Sequence, residues 1–163
     1  MCSSDLFSAL GEQKMPVRVG TGVNTILVDA TTRATLQSVM EAARAAGFMR
    51  GDAMLDFTDS PGLVYALGGR PLGSPWLLGG YGHSQALAAR VIAQLSSDSL
   101  QGVWVLSSDD SPRAIVGWQQ MLDTRLGAGA LEQAVTVRIQ APYRRLVAGP
   151  DSVDVQVWKP RAP

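Results

Sequence analysis

Gly102-Val103-Trp104-Val105-Leu106 is the stretch on which the fold turns. After its glycine the run is wholly apolar, so a strand made from it has no side to turn toward water. Such a strand needs cover on both faces, the condition of a strand inside a parallel sheet, whose crossovers lay helices on either side.

Downstream, Ser107 to Ser111 reads as a polar loop. Pro112 is expected to start a helix that runs to about Leu126 and is ended by Gly127 and Gly129. Val135, Val137 and Ile139 alternate with polar residues, as do Val153, Val155 and Val157 ahead of Trp158. A period of two marks half-exposed strands, and these last two are expected to pair antiparallel at an edge.

Upstream, a helix is predicted from Ser84 to Leu95 with Leu87, Val91, Ile92 and Leu95 on one face. Residues 68–82 read as a Gly/Pro-rich loop that carries Trp76, Leu77, Leu78 and Tyr81. Met54 to Thr58 reads as a strand, followed by a short helix from Ser60-Pro61 through Leu67 that Gly68-Gly69 stops. Leu36, Val39, Met40 and Ala43 form one helical stripe, with Thr31 or Thr32 as its cap and Gly47 as its left-handed end. Phe48 can then fold back on the last turn. Val17, Val19 and Thr25-Ile26-Leu27-Val28 suit two short strands around a glycine turn.

Strands alternating with helices imply an α/β fold. The expectation is a single layered domain over residues 17–160. Its sheet is mostly parallel, with helices on its faces and an antiparallel C-terminal edge pair. Residues 1–16 read as a linker that Pro16 ends. Met1-Cys2-Ser3-Ser4-Asp5-Leu6 lacks the basic and apolar regions of a signal peptide. It resembles the in-frame translation of a sequencing-adapter end, so the native chain is expected to begin further upstream.

The 163 residues are 46% hydrophobic and 17% charged, enough apolar surface for one core. Lys plus Arg and Asp plus Glu are 14 each, and no basic run occurs, which argues against nucleic acid as a partner. Apolar stretches such as Leu63 to Leu67 are far shorter than a membrane span. Cys2 is the only cysteine, so neither an internal disulfide nor a zinc cluster can form. No cofactor is expected.

Gly82-His83-Ser84-Gln85-Ala86 resembles a degenerate nucleophile elbow with Ala in the last place. His83 is the only histidine and sits inside the elbow, so no general base remains for a triad. Gly79-Gly80-Tyr81-Gly82-His83-Ser84 can also be read as an anion site, with glycine amides and a helix start as donors. It lacks the lysine of a phosphate loop, and Ser84 as a plain helix cap is the simpler account. Gly20-Thr21-Gly22 is too short for a dinucleotide fingerprint. Asp56, Asp59, Asp109 and Asp110 fall near strand ends, where α/β sheets bind ligands, or else serve as caps. Trp104 and Trp118 read as core. Trp76 and Tyr81 lie in the long loop and can stack on a sugar or dock against another surface. The ligand-binding residues expected are Trp76, Tyr81, Gly80, Gly82, His83, Ser84 and Asp59.

The segment Leu55-Asp56-Phe57-Thr58-Asp59-Ser60-Pro61-Gly62-Leu63-Val64-Tyr65-Ala66-Leu67-Gly68-Gly69-Arg70-Pro71 resembles a pattern in soluble C-terminal domains of bacterial polytopic membrane proteins. These are similar to lipid-linked-sugar glycosyltransferases of the mannosyl- or arabinosyltransferase type. The Trp76 to Tyr81 loop, Val103-Trp104-Val105-Leu106 and Val155-Gln156-Val157-Trp158-Lys159-Pro160 fit the same pattern, so the resemblance spans about residues 24–160. It implies a non-catalytic domain on the periplasmic side of the inner membrane. Its partners would be its own upstream membrane domain and a glycan or lipid-linked sugar. In such families the bond-making acidic residues belong to the membrane half, so no catalytic residue carries over. The alternative is a free-standing α/β module that binds a small molecule or an anion such as phosphate or a nucleotide-sugar.

Overall fold

The run after Gly102 forms β5 (Trp104–Ser107), the middle strand of a five-stranded sheet. The structure is a computed structural model that describes residues 11–20, 24–58, 60, 62–74, 77, 79, 81–111, 113–140 and 152–161. Parallel to β5 lies β3 (Ala53–Phe57), and parallel to β3 lies the short β4 (Arg70–Pro71). On the other side β7 (Ser152–Pro160) runs antiparallel to β5 and pairs with the edge strand β6 (Leu131–Gln140). The chain is α/β as the alternation of elements implies, and the C-terminal pair closes one edge antiparallel. The sheet itself is mixed, with two parallel and two antiparallel pairings.

Every residue of β3 and β5 is buried, and successive side chains divide between two cores. Met54, Trp104 and Leu106 pack with α1 (Ala30–Ala45), α2 (Gly62–Leu67) and the valines of β7. Leu55, Phe57 and Val105 pack with α3 (Ser84–Gln94), α4 (Ser97–Leu100) and α5 (Trp118–Leu126). Fully burying each large aliphatic side chain is worth about 1.5–3 kcal/mol, so this central pair carries much of the stability. A separate antiparallel hairpin, β1 (Met15–Arg18) and β2 (Thr25–Val28), lies against the first core through Val17 and Val28.

Helix α1 follows the sequence closely. Leu36, Val39, Met40 and Ala43 are all buried. Gly47 takes φ +101°, its N–H donates to Arg44 O, and Phe48 N–H donates to Ala43 O. This pattern caps the last carbonyls and turns Phe48 inward, where it meets Trp104 edge-on at 5.4 Å.

Several expectations are corrected. The cap of α1 is Asp29, whose carboxylate accepts from the Thr32 N–H at 2.9 Å and the Thr32 hydroxyl at 2.6 Å, and not a threonine. The carboxylate offers a separate oxygen to each donor, Oδ1 to the N–H and Oδ2 to the hydroxyl. Pro16 does not end the leading segment but sits within β1 opposite Leu27, tolerated because the hairpin strand is an edge. The loop at 68–82 contains β4, whose pairing with β3 places Arg70 beside Ala53. Helix α5 starts at Trp118 and not at Pro112, because Gly117 at φ +72° resets the chain just before it. Leu87 is 58% exposed, and the buried face of α3 is Ala88 and Ile92.

Helices α3 and α5 are clamped by Arg125. Its guanidinium donates to the carbonyls of Ile92 at 3.3 Å, Ala93 at 2.6 Å and Leu95 at 2.6 Å, which close the end of α3. Arg125→Ala is expected to cost about 1–2 kcal/mol, seen as a lower urea midpoint at unchanged slope. Arg125→Lys should recover only part, since an ammonium lacks the planar fork.

The Asp29 carboxyl is held below its ordinary value of 3.8 first by the Thr32 hydroxyl and then by the Thr32 N–H. A depressed carboxyl stabilises the fold above the unfolded value and loses that contribution as pH falls through the folded one. Asp29→Asn keeps a cap without the charge. The difference in melting temperature between pH 7 and acid below that value should therefore shrink in the variant.

Candidate functional site

The carboxyl ends of β3 and β5 open on the same side of the sheet, where α/β folds place ligands. Thr58 follows β3, and its N–H donates to Asp56 Oδ1 at 2.8 Å while its hydroxyl accepts from Ser60 N–H at 3.1 Å. The Asp56 carbonyl accepts from Leu77 N–H at 2.9 Å, so the chain returns alongside the strand end. Leu77 is buried in the second core. Two residues on, Gly79 N–H donates to Arg113 O at 2.8 Å. A Cβ at Gly79 would lie 2.6 Å from Ala114 O and 2.7 Å from Arg113 O, so only glycine permits this approach.

These backbone stitches deliver Tyr81 to the rim. The Arg113 guanidinium lies 5.5 Å from the Tyr81 ring centroid, a cation–π contact, and the residue stays 61% exposed. Val116 at 79% and Leu87 at 58% exposure add aliphatic surface, and the Gln85 side-chain amide donates to Val116 O, tying the two segments. Tyr81, Gly82, His83, Ser84, Ala86, Leu87 and Arg90 line an open depression of about 580 Å³.

Asp109 and Asp110 are drawn into structural bonds. Asp109 accepts from the Trp118 indole at 3.1 Å. Trp118 is itself stacked on Phe57 at 5.3 Å and edge-on to Trp158 at 5.3 Å. Asp110 accepts from Asp154 N–H at 3.1 and 3.2 Å, and Asp154 pairs with Arg138 through two bonds of 2.7 and 2.8 Å. The Arg138 hydrogen bond holds the Asp154 carboxyl below its ordinary range. Ser107 donates to Gln156 at 2.6 Å and accepts from the Trp158 indole at 3.0 Å. Among the described residues no three His, Cys, Asp or Glu side chains converge as a metal site would require.

At the elbow-like segment, His83 is left-handed at φ 67° and precedes α3 without a side-chain cap bond. Ser84 opens α3, and its hydroxyl donates to Tyr81 O at 2.8 Å. Its N–H also turns back to Tyr81 O at 3.2 Å. Ser84 is thus neither the expected helix cap nor paired with His83, and one donor of the expected anion cradle is spent inside the turn.

Of the expected ligand residues, Tyr81, Gly82, His83 and Ser84 come together on the depression. Asp59, Trp76 and Gly80 lie outside the described residues. Arg90, Arg113, Leu87 and Val116 were not anticipated. The signal for Val116 was Gly117, whose helix-breaking potential puts the preceding residues on a loop. No protein family, curated protein or solved structure matches the chain.

A left-handed backbone costs an L-residue about 1–2 kcal/mol, and glycine avoids that strain but gives part of the gain back through its greater freedom in the unfolded chain. His83→Gly is therefore expected to stabilise the protein by up to about 1 kcal/mol, measured as a raised melting temperature. A lowered one would mean that the imidazole holds the fold.

Proposed function

We propose that the chain is a glycan-contacting, non-catalytic domain. In this reading it is the extracytoplasmic C-terminal part of a polytopic membrane protein of glycosyltransferase type, on the periplasmic side of the inner membrane. The observation that carries the reading is Tyr81, an exposed ring backed by Arg113 at 5.5 Å that shares its depression with Leu87. A sugar presents aliphatic C–H groups on one face and hydroxyls around its edge. An aromatic ring meets the C–H face, and guanidinium and amide donors nearby meet the hydroxyls. The strand-end carboxylates Asp109 and Asp110 serve the fold through Trp118 and Asp154, which fits a surface that recognises and leaves bond making to another part of the protein.

The alternative, a module that binds phosphate or a nucleotide-sugar, draws on Arg90 and the start of α3, both on the same depression. The first-turn amides of a helix lack intrahelical acceptors and favour negative charge.

Titration of the 163-residue chain with neutral oligosaccharides is expected to shift the amide signals of Tyr81, Gly82 and Leu87, with dissociation constants around 1 mM. Tyr81→Ala should weaken that binding about tenfold, equivalent to about 1.4 kcal/mol. If phosphate moves these signals and neutral sugars do not, the anion reading replaces the glycan one.

A further inference from the structure

The depression beside Tyr81 runs on along α3. Leu87 N–H donates to His83 O at 2.9 Å, so His83 is already in helical register with the residues after it. His83, Leu87 and Arg90 follow at spacings of four and three, which set them on one side of the helix, and all three line the depression. That side is turned away from Ala88 and Ile92, the residues that α3 buries. From His83 to Arg90 the helix advances by about 10 Å, at about 1.5 Å per residue. The Ser84 N–H and hydroxyl both donate to Tyr81 O, which fixes Tyr81 at the start of this stripe.

Arg90 is exposed, and its guanidinium makes no ion pair or hydrogen bond among the described residues. No Asp or Glu occurs between Asp59 and Asp98, so neither α3 nor the loop before it brings a carboxylate to Arg90. The acids of neighbouring elements are placed elsewhere. Asp109 accepts from the Trp118 indole at 3.1 Å, Asp110 from Asp154 N–H at 3.1 Å, and Asp123 from Gly129 N–H at 3.4 Å. Asp98 sits in the first turn of α4, past the far end of α3. The described residues that line the depression include Arg90 and His83 and no carboxylate. A guanidinium in this setting is open to a carboxylate or a phosphate, which its planar fork meets with two parallel bonds.

His83 adds a second observation. Its backbone is left-handed at φ 67°, a conformation that glycine takes without strain. Its side chain makes no hydrogen bond among the described residues that would offset the cost. Backbone strain of this kind gathers at ligand clamps. The imidazole stands between Tyr81 and Arg90 in the chain and offers ring nitrogens to a hydroxyl.

We propose that the depression takes an acidic oligosaccharide laid along α3. One sugar rests on the Tyr81 ring, and a carboxylate or phosphate on a following sugar pairs with Arg90. The stripe is longer than one pyranose ring, so the ligand has at least two linked sugars. A bare anion lacks the ring that Tyr81 meets, and a neutral glycan leaves Arg90 without a partner. The proposal rests on the glycan reading and narrows it to sugars that carry fixed negative charge.

The test is titration of the 163-residue chain with trigalacturonate and with its methyl ester, which keeps the sugar rings and removes the charge. The acid is expected to bind about fivefold more tightly at about 0.05 M NaCl, and the difference should shrink at about 0.5 M. Arg90→Gln should bind acid and ester alike, and Arg90→Glu should prefer the ester. His83→Gly should bind the acid at least about twofold more weakly while melting no lower. Circular dichroism establishes that the variants are folded. Phosphorylated maltotriose against maltotriose identifies the anionic group, since the pair with the larger charge preference shows whether phosphate or carboxylate is the partner of Arg90. No charge preference in either pair, a preference that survives Arg90→Gln, or acetate or inorganic phosphate binding as tightly as the acidic saccharides would each overturn the proposal. Ester and acid that bind equally, and that Tyr81→Ala weakens equally, remove this inference and leave the glycan reading standing. If no saccharide binds, the glycan reading falls and this inference with it.

Discussion

The structure depends on the burial of β3 and β5 on both faces. Neither strand has a side that can meet water, so the chain must supply apolar cover above and below. The stripe of α1 with the α2 residues Leu63, Val64 and Leu67 does so on one face, and Ala88, Ile92, Trp118 and Leu122 do so on the other. Once both faces are closed, polar groups on these strands can emerge only at their ends. Thr58 and Ser108 lie just past the carboxyl ends of β3 and β5, and the loops that follow carry the candidate site.

Trp118 links that core to the rim. Its ring lies between Phe57 and Trp158, and its indole N–H reaches out to Asp109. The segment between Asp109 and Trp118 is thus anchored at both ends, and it presents Arg113 to Tyr81 and its backbone carbonyl to Gly79. Buried aromatic contacts of this kind are worth about 0.5–1.5 kcal/mol each beyond their area, and they add to the hydrogen bonds that fix the two ends of the loop. Asp109 and Asp110, two of the acids that fall near strand ends, accept hydrogen bonds that tie the start of this loop to Trp118 and Asp154.

The two ends of the sheet are chemically unlike. One carries the Tyr81 rim, backed by Arg113, with Asp109 and Asp110 tied into the fold, and the other carries the exposed Met49 and Tyr65 among charges of both signs.

Much of the fold was legible because its signals are local. The Leu36 to Ala43 spacing, the Gly47-Phe48 helix end, the apolar run at Val103 and the alternation of Val153, Val155 and Val157 each depend on a few neighbouring residues. Tyr81 and its neighbours were legible as a candidate site from their place in a long glycine-rich loop. What the sequence could not decide depends on partners distant in the chain. Leu87 fits the apolar stripe of α3 by spacing, yet it faces solvent because α5 and the sheet cover the Ala88–Ile92 side. Asp109 becomes a structural acceptor only because Trp118 is docked on Phe57 and Trp158. Local spacing was enough to locate α1, α3 and the long strands and to mark β5 as needing double cover, because periodicity and capping act within one or two turns; the short β4 and the start of α5 escaped it. Which faces stay open and which side chain stands over Tyr81 came from the packed fold, because burial and proximity are properties of elements brought together.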